Sequence, residues 1–192
     1  MKLLIDCDFV VYKCCAAAET EIDFGDDVIL VTSTFKDAYS CVKRELNRIA
    51  NKFGSFDEMI LFFSDSKNFR KDIQADYKGH RNRKKPCGYR RVIKKLTEEY
   101  SVIRMPTLEA DDSMGIYSTK FPGNIIISPD KDMKQIPGML WNFDESFTIT
   151  KEDVEDLKFL LELSAAQAGE YYSLRIPIAA ESKSGATWAE VH

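Results

Sequence analysis

The chain has 192 residues, a net charge of −4, 44% hydrophobic and 30% charged residues, which suits one globular domain with a single buried core. No apolar run approaches the roughly 20 residues of a bilayer-spanning helix, and Met1-Lys2-Leu3-Leu4-Ile5 lacks a signal-peptide layout. A soluble, cytoplasmic, monomeric protein with no membrane partner is expected. Five cysteines without zinc-type spacing, Cys7, Cys14, Cys15, Cys41 and Cys87, read as reduced structural thiols.

In chain order, residues 2–6 predict a strand, and Val28–Thr32 predicts another. Apolar residues at Phe35, Ala38, Tyr39, Val42, Leu46, Ile49, Ala50 and Phe53 trace one helical face that ends near Gly54. Met59–Phe63 predicts a buried strand. After it come a helix over 89–100, a strand over 102–105 and a helix over 110–120. Ile125–Ile127 and Leu140–Phe143 predict further strands, and Thr150 with Asp153 predicts a helix N-cap pair. Strands alternating with helices imply an α/β fold with a mostly parallel central sheet and helices on both faces. From about Ser164 the chain turns Ala-rich and loses periodicity, so a main domain over 1–163 and a loosely packed tail over 164–192 are expected.

The charge is unevenly distributed. Residues 67–95 hold twelve Lys or Arg against Asp72 and Asp76, a local charge of +10 that leaves −14 for the remainder. Phe69, Tyr77, His80 and Tyr89 are interleaved with these cations. A charge run alone is often a solvated face, but cations alternating with aromatic rings suit phosphates and unpaired bases. The acids cluster at the ends of apolar runs: Asp6 and Asp8, Asp65, Glu109-Ala-Asp111-Asp112, and Asp130-Lys-Asp132. Parallel strands would carry them to one crevice at their carboxyl ends. Oxygen-only donors at that density call for hard divalent cations such as Mg²⁺ or Mn²⁺, and a two-metal centre acting on phosphate esters is the reading. Each part alone has a structural explanation, since Asp favours turns and helix N-termini. Glu109 and Asp112, three apart, share a helical face, and Asp111 points elsewhere. Neither His80 nor His192 has a partner at ligand spacing, and no Gly-rich phosphate loop is present.

The ordered motifs Leu-Ile-Asp6-Cys-Asp8, Phe-Ser-Asp65-Ser-x-x-Phe-Arg70-Lys71, Asp76-Tyr77-Lys78-x-x-Arg81, Lys84-Lys85-Pro-x-Gly-Tyr, Leu-Glu109-Ala-Asp111-Asp112-x-Met-Gly and Ile-Ser-x-Asp130-Lys-Asp132 resemble the 5′ nuclease, or flap endonuclease, superfamily. They look most like the short 5′→3′ exonucleases of podovirus-type phages. The resemblance covers about residues 1–145. It implies a PIN-like nuclease domain with a basic helical arch, and cleavage of DNA at 5′ ends, flaps or nicks. It implies that Asp6, Asp65, Glu109 and Asp111 hold one ion, and that Asp112, Asp130 and Asp132 serve both ions or the second. Lys78 and Arg81 would engage the scissile phosphate, with Arg70, Lys71, Tyr77, Arg83, Lys84, Lys85, Arg90 and Arg91 along the DNA path. Asp8 is not among the ligands so implied. Family members continue into a helix-hairpin-helix-type module that binds K⁺ and supplies further acids, which residues 158–192 do not match, so a truncated or frame-altered tail is expected. The alternative is a DNA-binding module with little or no catalysis.

Overall fold

Alternation of apolar residues along the first strand sets the architecture. In β1 (Lys2–Asp6), Leu3 and Ile5 enter one core and Leu4 another, all three fully buried, as in a strand covered on both faces. The computed structural model describes residues 1–78, 84–171 and 182–183. In it, β4 (Glu58–Phe62) and β6 (Ile125–Ile127) flank β1 in parallel, with Leu4 opposite Ile60 on one side and Ile126 on the other. β5 (Ser101–Ile103) adds in parallel beyond β4, and β7 (Gly138–Trp141) beyond β6. Only β8 (Ser146–Ile149) runs antiparallel, closing the edge beside β7. The sheet order is β5-β4-β1-β6-β7-β8, the mostly parallel sheet that the alternation predicted.

Helices cover both faces. On one, α1 (Cys7–Ala17), α2 (Phe35–Phe53) and α4 (Tyr89–Glu99) pack on Leu3, Ile5, Leu61, Phe63 and Ile127. On the other, α5 (Ala110–Lys120) and a 3₁₀ turn over Lys131–Gln135 pack on Leu4, Ile60, Phe62 and Ile126 through Ala110, Met114 and Met133. α2 buries Ala38, Val42, Leu46 and Ile49, one per turn, and is capped by Thr34, whose Oγ1 accepts the Asp37 amide at 3.1 Å. Each such aliphatic side chain contributes about 1.5–3 kcal/mol when fully buried.

The structure adds elements that the sequence pattern did not predict: α1, the strand β2 (Thr20–Asp23), the short helix α3 (Arg70–Ile73), the 3₁₀ turn and β8. Val28–Thr32 does become a strand, β3 (Ile29–Thr32), but it pairs only with β2 in a separate antiparallel hairpin whose residues are exposed. The strand expected over Leu140–Phe143 lies two residues earlier, as β7. Thr150 and Asp153 form the expected reciprocal cap, with the Thr150 amide donating to Asp153 at 2.7 Å and the Asp153 amide to Thr150 Oγ1 at 3.1 Å. The helix they open, α6 (Lys151–Tyr171), crosses the expected boundary at 163/164 without a break. Residues 172–181 and 184–192 of the expected tail lie outside the described residues. All five cysteines are free thiols, Cys7, Cys14 and Cys15 buried in α1.

From β1 the chain builds outward through β4 to β5 and then crosses back to place β6 on the other side of β1. The strand order therefore reverses at β1. A crevice opens at the carboxyl ends of the strands at such a reversal, and the end of β1 is Asp6.

Candidate metal centre and nucleic-acid interface

Asp6 is where a strand becomes a helix. It caps α1, its Oδ1 accepting the Phe9 amide at 3.2 Å, while Oδ2 accepts the Ser128 hydroxyl at 3.0 Å from the end of β6. The residue is 8% exposed. Burial, opposed by the Phe9 amide and reinforced by the charges of Asp8 and Asp130, pushes its pKa up to about 6. Asp111, in the first turn of α5, is pushed up to about 8 by burial and then by Asp6, Asp130 and Glu109, against the opposing charge of Lys78. Carboxylates from β1, from α5 and from the segment after β6 thus feel one another's charge across the crevice.

Within α5 the acids divide. Glu109 is the N-cap and forms a capping box with Asp112. Asp112 is gripped by Arg70, whose Nη1 and Nη2 lie 2.7 and 2.8 Å from its two oxygens. This fork is buried, with Arg70 8% and Asp112 5% exposed, and the Asp112 hydrogen bonds raise the Arg70 pKa. Arg70 was expected on the DNA path. Instead it sits in α3 (Arg70–Ile73) as a structural cation that docks this short helix against α5, because its counter-charge lies inside. Asp112, expected as an ion ligand, has both oxygens committed to that guanidinium.

Two other expected ligands, Asp65 and Asp132, lie in segments with local hydrogen bonds of their own. Asp65, just beyond β4, accepts the Ser66 amide at 2.7 Å and the Thr107 amide at 2.8 Å, and these bonds hold its pKa low. Its carboxylate brackets the loop before α5, in which Thr107 takes a left-handed φ of +64°. Asp132 is exposed in the 3₁₀ turn capped by Asp130, whose Oδ1 accepts the Asp132 amide at 2.9 Å. The structure therefore brings together Asp6, Glu109, Asp111 and Asp130, with Asp8 beside Asp6.

Among the described residues, no three His, Cys, Asp or Glu side chains already stand at the spacing of a formed ion site. The donor set still fits a hard cation. It is all oxygen, drawn from three segments, and in its two most buried members the charged form is disfavoured by burial and then by neighbouring acids, both of which a divalent ion would offset.

Cations approach from both sides. Lys78 Nζ donates to both Glu109 oxygens, at 2.8 and 3.0 Å, and Tyr77 Oη to Glu109 at 3.3 Å. Burial disfavours the Lys78 ammonium, but its bonds to Glu109 outweigh that and keep its pKa above the usual value. Lys78 holds a left-handed φ of +54°, a costly backbone state for a non-glycine residue and one that gathers at functional sites. On the other side, Lys85 Nζ lies 4.7 Å from the centre of the Tyr89 ring, and Lys71, Lys84, Arg90 and Arg91 are exposed. Arg81 and Arg83 lie outside the described residues. Sequence reasoning missed the role of Asp8. Its oxygens accept the Tyr89 hydroxyl and the Ser64 amide, each at 2.8 Å, across sequence separations that local patterns do not encode.

Fold and site together define an α/β domain with a carboxylate crevice at its switch point and cations flanking it. The chain belongs to the family of 5′-3′ exonuclease N-terminal, resolvase-like domains, whose model matches residues 2–157. It is 30% identical over 167 residues to an exodeoxyribonuclease of Enterobacteria phage T3, covering 80% of this chain and 55% of that protein. It is 29% identical over 184 residues to an exonuclease of Escherichia phage T7, covering 89% and 61%. The chain thus spans a little over half the length of these curated relatives. Among solved structures, a bacteriophage T5 protein co-crystallised with metal ions superposes with a TM-score of 0.57 at 14% identity, covering 86% of this chain and 65% of that one. A phage T5 flap endonuclease in a pseudo-enzyme-product complex with DNA and metal ions does so with 0.54 at 12% identity, over the same shares. Both likenesses establish the fold. Among the described residues no helix is long and apolar enough to cross a membrane.

Proposed function

We propose that this chain is a divalent-metal-dependent 5′→3′ exodeoxyribonuclease with flap-endonuclease character, hydrolysing DNA phosphodiesters at 5′ ends, flaps or nicks. The observation that carries the reading is the placement of Asp6, Glu109, Asp111 and Asp130 at the ends of β1 and β6 and the start of α5, beside the switch point, in a domain whose family is that of 5′-3′ exonucleases. Asp6, Glu109, Asp111 and Asp130 are the residues that would hold Mg²⁺ or Mn²⁺. Asp112 would join only by giving up its pairing with Arg70, while Asp65 and Asp132 are proposed as further ligands from the segments after β4 and β6. When bound, such ions supply a hydroxide nucleophile at neutral pH and neutralise charge on the phosphate oxygens.

The protein's own residues do the remainder. Lys78, held beside Glu109, is placed to transfer its charge to the scissile phosphate, where a preorganised cation is worth most as charge develops. Arg81 is assigned the same task by its motif. Lys71, Lys84, Lys85, Arg90, Arg91 and Arg83 hold the backbone by charge, and Tyr77 offers an aromatic face to an unpaired base. The family match favours catalysis over the binding-only alternative. The phage T5 neighbour's complex with DNA supports DNA as the partner.

The test is release of label from 5′-labelled flap, nicked and single-stranded DNA with Mg²⁺ or Mn²⁺, with EDTA as control. Metal-dependent release is the expected result. Binding without cleavage in either ion would overturn the enzymatic reading in favour of the binding module.

A further inference from the structure

Asp8 is absorbed neither by the proposed ion site nor by the core, yet its two oxygens join three separate parts of the protein. It sits in the first turn of α1, two residues after Asp6, and accepts the Ser64 amide from the end of β4 through Oδ2 at 2.8 Å. Its Oδ1 accepts the hydroxyl of Tyr89, the first residue of α4, also at 2.8 Å. Tyr89 is 6% exposed, so this is a sheltered hydrogen bond to a carboxylate, of the stronger class.

Tyr89 is also where the cationic segment rejoins the domain. Lys85 lies over its ring and, at 5.8 Å, over that of Tyr12 in α1. The Cys87 amide donates to Glu19 at 2.7 Å, and Gly88, with a φ of +77° that disfavours any side chain, turns the chain into α4. On the opposite side of the crevice Glu109 receives Lys78 and Tyr77. Each side of the crevice thus has one carboxylate at the start of a helix, Asp8 in α1 and Glu109 at α5, that takes hold of a segment bearing cations.

We propose that Asp8 is a positioning residue, which through the Tyr89 hydroxyl fixes the start of α4, and with it Lys85 and Arg90, in register with the Asp6 carboxylate. The inference rests on the nuclease reading, since register matters only if a substrate phosphate must reach both the cations and the acids at once.

Tyr89→Phe is the decisive variant, because it keeps the packed ring and its contact with Lys85 while removing only the hydroxyl. Its turnover on 5′-labelled DNA should fall about tenfold, the equivalent of about 1.4 kcal/mol, with KM for DNA and affinity for Mn²⁺ within about twofold of wild type. Amide exchange at Val92, whose N–H closes the first turn of α4 on Gly88, should quicken. Adding Tyr89→Phe to Asp8→Ala should cost nothing further, as two halves of one contact are non-additive. Unchanged turnover in Tyr89→Phe would overturn the proposal even if exchange quickened, and so would effects that multiply in the double variant. A change in Mn²⁺ affinity would also overturn it, assigning Asp8 to the ions. A wild-type chain that cuts nothing would sink the nuclease reading instead, and exchange at Val92 would still decide whether the Asp8–Tyr89 joint holds α4.

Discussion

Asp111 and Asp112 are neighbours in the first turn of α5, and they have opposite surroundings. Asp112 is buried and fully paired with Arg70, whereas Asp111 faces other carboxylates and is pushed up to about 8. One acid has an ion-pair partner built into the chain, and the other is buried among like charges that Lys78 only partly offsets. A buried carboxylate whose partner is supplied by the fold does structural work. One left with like charges for neighbours implies a cation from outside.

The sharpest way to break this comparison is to remove each acid in turn. Asp111→Ala should reduce metal-dependent cleavage by a factor on the order of 10³ or more while leaving the metal-free protein at least as stable, because repulsion is relieved. Steady-state cleavage together with thermal melting in EDTA would check it. Asp112→Ala should do the reverse to stability and cost about 3–5 kcal/mol by stranding the buried Arg70 charge, as read from denaturant unfolding. Equal stability losses in the two variants would erase the distinction.

Lys78 sharpens the comparison from the cationic side. Its ammonium is half-buried against Glu109, so Lys78→Ala should lower turnover by about 10² to 10³ with little change in DNA affinity, as for other preorganised groups. A loss confined to affinity would make Lys78 an ordinary backbone contact. The smallest effect belongs to the exposed pair. Lys84→Ala with Lys85→Ala should weaken binding and make its salt dependence shallower by about one slope unit per lost phosphate contact, measured by binding titrations at several salt concentrations.

What could be read in advance follows from how local each signal is. β1, β4 and β6 are short apolar runs bounded by polar residues, and α2 shows one buried face at helical spacing, so each declared itself. α1 did not, because its buried face of Cys7, Val10, Val11, Cys14 and Cys15 is flanked by Phe9, Tyr12, Ala16 and Ala17, which are apolar too, so no polar stripe marks its period. In the β2–β3 hairpin the apolar run Ile29-Leu30-Val31 declared β3, whereas β2, Thr20–Asp23, is exposed and has one apolar residue, Ile22, so no buried face imposes alternation on it. Asp6, Glu109, Asp111 and Asp130 were legible from their places at strand and helix ends. The commitments of Arg70 to Asp112 and of Tyr89 to Asp8 were not, since they span 42 and 81 residues and only the assembled sheet creates them.

That Asp6 and Asp111 stay buried among like charges until a divalent ion offsets them is tested most directly by the pH dependence of stability in metal-free protein. Asp6 and Asp111 have folded pKa values raised above the ordinary 3.8, to about 6 and about 8. The folded state thus holds their protons more tightly than the unfolded one. The stability this confers is complete below about pH 4 and is lost as pH rises through 6 and then 8. Carboxylates with lowered values, such as Asp65 and Glu45, act in the opposite sense, but their contribution is complete above about pH 6, where the unfolded state is ionised too. Chemical denaturation in EDTA from pH 5 to pH 8.5 should therefore show stability falling by a few kcal/mol. The fall should be smaller in Asp111→Asn and largely reversed in wild type by millimolar Mg²⁺ or Mn²⁺. A profile as steep in Asp111→Asn as in wild type, or one that neither ion alters, would contradict it.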